Sequence, residues 1–298
     1  MKKLLVLTLA LAMVLAMATV SMAAVGLGGN LRVFFNSDED DNYFSFDRLA
    51  ISLGGDLSAN NGFKSELQLR DVGQAFDVRL DHAYYYQKNL FATDELNAGY
   101  MPLSWHADKS ATIAGSLGSD FRPGNSIGLK YTYFADAFSI TGYVLNAENG
   151  EKAPVNTTGY DLGARVAANL IDNLTVGFGV VNNVIDEDAD TSDLDLVLDA
   201  VYTYGDLGLY AEFVSQTKTV AGEDGDAENG FYLEGSYALN DKLSAYAGLT
   251  AAEDLLGEDQ DRIVAGAKWQ FAPATALQGE LVNCNDETSI GLRLRVDF

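Results

Sequence analysis

Cysteine, proline and histidine are all scarce in this chain, at 1, 4 and 2 of 298 residues. A single cysteine, Cys284, excludes a disulfide scaffold. Two histidines, His82 and His106, offer no Cys/His metal spacing. No phosphate-binding or dinucleotide glycine fingerprint occurs, so no cofactor and no metal is expected. Basic residues are the other shortage: 19 Lys+Arg stand against 43 Asp+Glu, a net charge of −24. A phosphate backbone would be repelled, which argues against a nucleic-acid partner. Beyond the first two dozen residues no apolar run approaches the roughly 18 that a spanning helix needs. What the chain does have is 48% hydrophobic residues, 29 Gly, 15 Tyr and 15 Phe. That is too apolar for a disordered acidic chain.

The start reads as an address. Met1-Lys2-Lys3 precedes an apolar run from Leu4 to about Val20, and Ser21 and Ala23 are small residues at a cleavage site. Residues 1–23 are expected to be a secretory signal peptide, and 24–298 one domain.

From there the dominant period is two. In Ile290 to Phe298 every even position is apolar and every odd one is polar or Gly. Leu194, Leu196, Leu198, Ala200, Tyr202 and Tyr204 hold alternate positions, as do Ile263, Ala265, Ala267, Trp269 and Phe271. Sixteen strands are expected, with fourteen as the alternative. The expected spans run from 27–36 and 43–57 to 275–283 and 288–298. Connections alternate in length. Tight turns such as Ile171-Asp172-Asn173, Gly205-Asp206 and Asn240-Asp241 supply turn residues. Longer connections fall near 148–157, 184–193, 218–228 and 252–260. This is the layout of a transmembrane antiparallel β-barrel, with turns on one side and loops on the other. One connection, Leu103 to Gly124, is much longer than the rest and marks a functional loop.

Strand number, short/long alternation, the long third loop and the terminal Phe298 together resemble the bacterial general porins. Phe44 to Gly55 and Ala98 to Leu103 also resemble stretches of phosphate-selective O- and P-type porins. The Pro-Glu-Phe-Gly-Gly-like signature of enterobacterial porins is absent. The resemblance implies a sixteen-stranded barrel in the outer membrane, its third loop folded into the lumen. It also implies a homotrimer contacting lipid and lipopolysaccharide, with Phe298 read by the barrel-assembly machinery.

Alternation assigns faces, because charge at mid-membrane is costly on the lipid side. The inner phase carries Arg32, Arg48, Lys64, Arg70, Arg79, Lys130, Arg165, Lys268, Arg293 and Arg295 as pore-wall residues. Acids share it, including Glu66, Asp77, Asp81, Asp161, Asp195, Asp199, Glu212, Glu234 and Glu280; Asp47 falls on the other phase. His82 falls outward beside Tyr84, Tyr85 and Tyr86, as a girdle residue. Asp108, Lys109, Asp120 and Arg122 on the long loop are expected to form the constriction. Many other acids crowd connections: Asp38 to Asp41, Asp186 to Asp193, Glu223 to Glu228 and Glu253 to Asp261. The expected function is passive diffusion of small hydrophilic solutes, with a cation-attracting mouth. A solute-selective anion channel and a non-pore surface protein are the alternatives. No catalysis is expected: His106 near Ser104 and Asp108 is proximity in sequence, not a triad.

Overall fold

The computed structural model describes residues 25–37, 42–71, 76–102, 105–107, 109–113, 115, 126–146, 160–186, 191–220, 223–253, 261–285 and 287–298. The proposed signal peptide lies outside them. The elements are β1 (Gly26–Ser37), β2 (Asn42–Ser58), β3 (Asn61–Asp71), β4 (Phe76–Lys88), β5 (Asp94–Met101), β6 (Ser126–Phe134), β7 (Phe138–Asn146) and β8 (Tyr160–Ile171). They continue with β9 (Leu174–Asp186), β10 (Thr191–Tyr204), β11 (Leu207–Val220), β12 (Glu223–Asn240), β13 (Leu243–Glu253), β14 (Arg262–Ala272), β15 (Thr275–Cys284) and β16 (Glu287–Asp297). Sixteen strands form, and the fourteen-strand alternative falls away.

Each strand pairs antiparallel with its sequence neighbours, and β1 closes the ring on β16. Closure leaves neither β1 nor β16 as a free sheet edge, as a membrane-spanning sheet requires. The chain end takes part: Gly29 N donates to Phe298 O (2.9 Å) and Phe298 N to Gly29 O (3.1 Å).

The two faces differ as the alternation requires. Leu194, Leu198, Phe213, Phe231, Leu233, Leu249, Ile263, Leu281 and Leu292 are exposed on the outside. An apolar surface this continuous needs a lipid surround. On the same strands Asp195, Asp199, Glu212, Glu234 and Glu280 are buried on the inside. Much of the glycine has an inner role. Tyr86, Tyr143 and Tyr246 lie directly opposite Gly62, Gly163 and Gly266 in the register. A Cβ at Gly163 would stand 2.0 Å from the Tyr143 ring, so the ring lies flat on the wall only because no side chain is there.

Two bulges change the face assignments. The β1–β2 register slips between Arg32 and Val33, which leaves Asp47 as the extra residue beside Arg48. Asp47 consequently acts electrostatically on Arg32, Arg70 and Arg293, contrary to its expected outward phase. The β3–β4 register slips between Glu66 and Leu67 and pairs Glu66 with His82. His82, Tyr84 and Tyr86 therefore face inward; only Tyr85 points outward, so His82 is no girdle residue. A one-residue insertion inverts every later side chain, which period counting cannot register. The expected acidic loop over 218–228 also needs correction. β11 runs to Val220 and β12 begins at Glu223, so Glu223, Asp224, Asp226 and Glu228 belong to a strand. Lys218 pairs with Glu228 there at 3.4 Å.

Candidate functional site: a loop packed inside the barrel

The long third connection leaves β5 at Met101 and re-enters the wall at Ser126. Its described residues, among 105–115, lie against inward side chains of distant strands. Arg165 Nη1 on β8 donates to Trp105 O (2.8 Å). Ser110 Oγ donates to Glu234 Oε2 on β12 (2.8 Å), and Ala111 N reaches both Glu234 oxygens at 3.0 Å. Ile113 N donates to Glu280 Oε2 on β15 (2.6 Å). Gln278 Nε2 donates to Ala111 O (2.7 Å), and Arg262 Nη2 to Gly115 O (3.3 Å). The loop therefore crosses the lumen and is fixed to the wall from β8 to β15.

Apolar packing fixes it further. Trp105 is fully buried and joins Met101, Tyr143, Leu145, Val181, Val197, Tyr210, Val214, Tyr232 and Ala252 in one cluster. Burying a side chain of this size contributes about 1.5–3 kcal/mol. Gly179 lets the loop approach, since a Cβ there would stand 2.2 Å from Trp105 O. One side of the lumen, from β7 to β13, is thus a packed core.

The acids on that side are occupied. Glu234 accepts from Tyr232 OH (2.6 Å) as well as from the loop. Glu280 accepts from Tyr246 OH (3.0 Å), Glu212 from Tyr210 OH (2.5 Å) and Asp195 from Gln216 (2.8 Å). Asp199 holds Arg165 in a bidentate pair at 2.5 and 2.9 Å. Sequence reasoning placed these acids inside but could not show that Glu234 and Glu280 anchor the loop.

The opposite side is basic. Arg295, Arg32, Arg48 and Arg70 stand directly opposite one another on β16, β1, β2 and β3. Arg293 lies two residues before Arg295, and Arg79 lies opposite Gln68. Lys64 and Lys130 face inward on β3 and β6, opposite Tyr84 and Asn97. Lys268 faces inward on β14, opposite Gln278. Among the described residues, Arg32, Arg48, Arg70, Arg79 and Arg293 form no ion pair; Arg295 pairs with Asp297 at 2.7 Å. Arg70 donates instead to Gln68 (2.7 Å) and Arg293 to Gln278 (2.6 Å). Buried Arg32 Nε and Arg48 Nε have no hydrogen-bond partner among the described residues.

Of the four residues expected at the constriction, Lys109 is exposed, while Asp108, Asp120 and Arg122 lie outside the described residues. Ser104 does too. His106 is buried beside Trp105, ring centroids 6.1 Å apart. His82 Nδ1 lies 3.1 Å from Asp81. Among the described residues no cluster of His, Cys, Asp and Glu could hold a metal ion.

A closed sixteen-stranded antiparallel barrel with its third loop packed inside is the porin fold, an architecture of bacterial outer-membrane proteins. The solved structures that share it are specific. OmpT, an outer membrane protein of Vibrio cholerae in a trimer form, superposes with a TM-score of 0.72 at 18% identity, over 93% of this chain and 100% of that one. An anion-selective porin from Comamonas acidovorans gives 0.68 at 16% identity, over 93% and 100%. OmpF of Salmonella typhi, in complex with daunomycin, gives 0.69 at 14% identity over the same shares. No protein-family model matches the chain, and no curated protein matches it in sequence.

Proposed function

We propose that this protein is a non-enzymatic channel of the bacterial outer membrane, through which small hydrophilic solutes diffuse passively. The observation that carries the reading is the third loop, fixed inside the barrel along β8–β15 while the wall from β16 through β1 to β4 stays polar. Sixteen strands enclose more volume than side chains fill. A loop that occupies one side narrows the path without closing it. The arginines of the other side and Lys64, Lys130 and Lys268 then form the wall that solutes pass. The loop's own Asp108, Lys109, Asp120 and Arg122 complete the narrow zone.

The wider assignment follows from the same reading. Residues 1–23 direct export and are removed, leaving one barrel domain from residue 24. The apolar belt meets membrane lipid and lipopolysaccharide, Phe298 serves the assembly machinery, and the barrel works as a homotrimer, with no cofactor. Planar-bilayer reconstitution tests the core of it. Stepwise conductance from folded protein is the expected outcome, and folded barrels that never conduct would refute the channel.

A further inference from the structure

The outer wall is not uniformly convex. Over β5–β9 the outward side chains enclose a shallow hollow of about 690 Å³. We infer that this hollow seats one acyl chain of lipopolysaccharide, with Asn182 meeting the polar head of that chain. The inference rests on the outer-membrane barrel and not on conduction.

The register builds the hollow. Leu96, Tyr131, Gly142, Ala164 and Val180 stand directly opposite one another on β5, β6, β7, β8 and β9, on the outer phase. Two residues to one side on the same face run Leu129, Val144 and Leu162, and two residues to the other run Ile140, Val166 and Phe178. These six flanking side chains are 41–54% exposed and stand up as rims. Between them Gly142 and Ala164 offer only a hydrogen and a methyl. The result is a trough across the strands, roughly 14 Å from Tyr131 to Val180 at about 4.8 Å per strand. Tyr131 closes one end, its hydroxyl donated to Asp94 Oδ2 (2.9 Å).

Protein packing does not require Gly142. A Cβ there meets nothing within 4 Å, whereas one at Gly163 meets the Tyr143 ring. Glycine weakens a strand interior, and without a protein neighbour to make room for, it marks a close approach from outside. A second copy of the chain is the wrong size for the trough. Protein interfaces need about 800 Å² per partner, while this volume matches the ~300–1,000 Å³ pockets that take small ligands. The surroundings give the occupant: outward Ile127 on β6 and Leu198 on β10 carry the lipid-facing belt past the trough on both sides, so what fills it is alkyl.

Asn182 sets the leaflet. It places an amide on this aliphatic and aromatic face, between Leu162 and Leu194 in the register. It lies toward the loop end of β9, away from the tight turn between Ile171 and Leu174. Loops of such barrels face outside, and the outer leaflet there is lipopolysaccharide. A hydroxyacyl chain carries a hydroxyl and a carbonyl near its head, which match the donors and the acceptor of an amide.

The test is native mass spectrometry of the folded barrel in detergent, incubated with lipopolysaccharide of defined acylation or with phosphatidylethanolamine. Expected is one lipopolysaccharide per barrel that survives activation sufficient to strip phosphatidylethanolamine. Gly142→Leu fills the trough without touching protein and lowers lipopolysaccharide retention about tenfold, as the loss of roughly two buried methylenes requires. Asn182→Leu lowers it too and leaves phosphatidylethanolamine retention unchanged. Ala247→Leu, the same side chain on the exposed outer face of β13, changes neither. Heat-modifiable migration on gels verifies that each variant is folded. Retention by folded Gly142→Leu equal to the parent's overturns the site, and equal retention of the two lipids by the parent overturns the assignment to lipopolysaccharide.

Discussion

Replacing Glu234 by Ala removes the acceptor on which the middle of the third loop rests. Four contacts converge on that carboxylate: Ser110 Oγ at 2.8 Å, Ala111 N at 3.0 Å to each oxygen, and Tyr232 OH at 2.6 Å. The Ser110 hydroxyl has alternatives, since Thr112 Oγ1 and Tyr232 OH lie 2.9 and 3.0 Å away. Ala111 N has none in the described contacts. Tyr232 OH can turn to Ser110 Oγ or Thr112 Oγ1, so the stranded donor is Ala111 N, at a local cost of about 1–3 kcal/mol. The remaining anchors, Gln278 to Ala111 O, Ile113 N to Glu280 and Arg165 to Trp105 O, keep the loop in the lumen. The centre should loosen while the loop stays inside. Amide exchange at Ala111 is expected to speed up, single-channel conductance to rise and become noisier, and Glu234→Gln to show a smaller version of both. Unchanged exchange at Ala111 together with unchanged conductance would refute the anchoring role.

Other substitutions probe separate parts of the same structure. Arg165→Ala strands Asp199, which is almost wholly buried; losing one partner of a buried pair costs about 3–5 kcal/mol, read as a lower urea midpoint, and an unshifted midpoint would show that the pair contributes nothing. Gly163→Val drives a side chain into the Tyr143 ring; overpacking of this kind costs about 1–3 kcal/mol, and a thermal midpoint equal to the parent's would contradict the flat-ring packing. Leu198→Arg, on the exposed outer face of β10, should cost about 2–4 kcal/mol in lipid if it lies near mid-membrane. Thr175→Arg on the inner phase of β9, opposite Asn169 and Val201, should be tolerated; equal losses in bilayer folding titrations would refute the face assignment.

The strand pattern was legible because lipid enforces it. Positions such as Leu194 to Tyr204 must alternate when one side meets hydrocarbon, and the structure keeps them in β10. Asp47 and His82 were misplaced because each lies at a bulge, and a bulge leaves no mark in a period-two count. Glu223 to Glu228 read as a loop because charge falls on both phases. The β11–β12 ladder nevertheless continues through them. The inward arginines followed from alternation alone. The anchors of the third loop could not. Ala111 and Glu234 lie 123 residues apart, and Ile113 and Glu280 lie 167 apart. No local spacing connects them, and a carboxylate on the inner phase looks the same in sequence whether it faces water or a backbone amide.

That last ambiguity decides how the composition should be read. Net charge sums all carboxylates equally, but a solute responds to those left unneutralised within a few ångströms of its path. On β10–β15 the acids perform structural work: Asp199 is paired with Arg165, and Glu234 and Glu280 hold the loop while keeping their charge. The row on β16–β3 has no such explanation. Like charges placed directly opposite one another destabilise a sheet by a few tenths to about 1 kcal/mol per pair. Gln, Ser or Thr at the same positions would face the same water without that cost, and Gln68, Gln278 and Ser52 show that this wall accommodates them. Stability therefore disfavours the row, and what remains to account for it is its field.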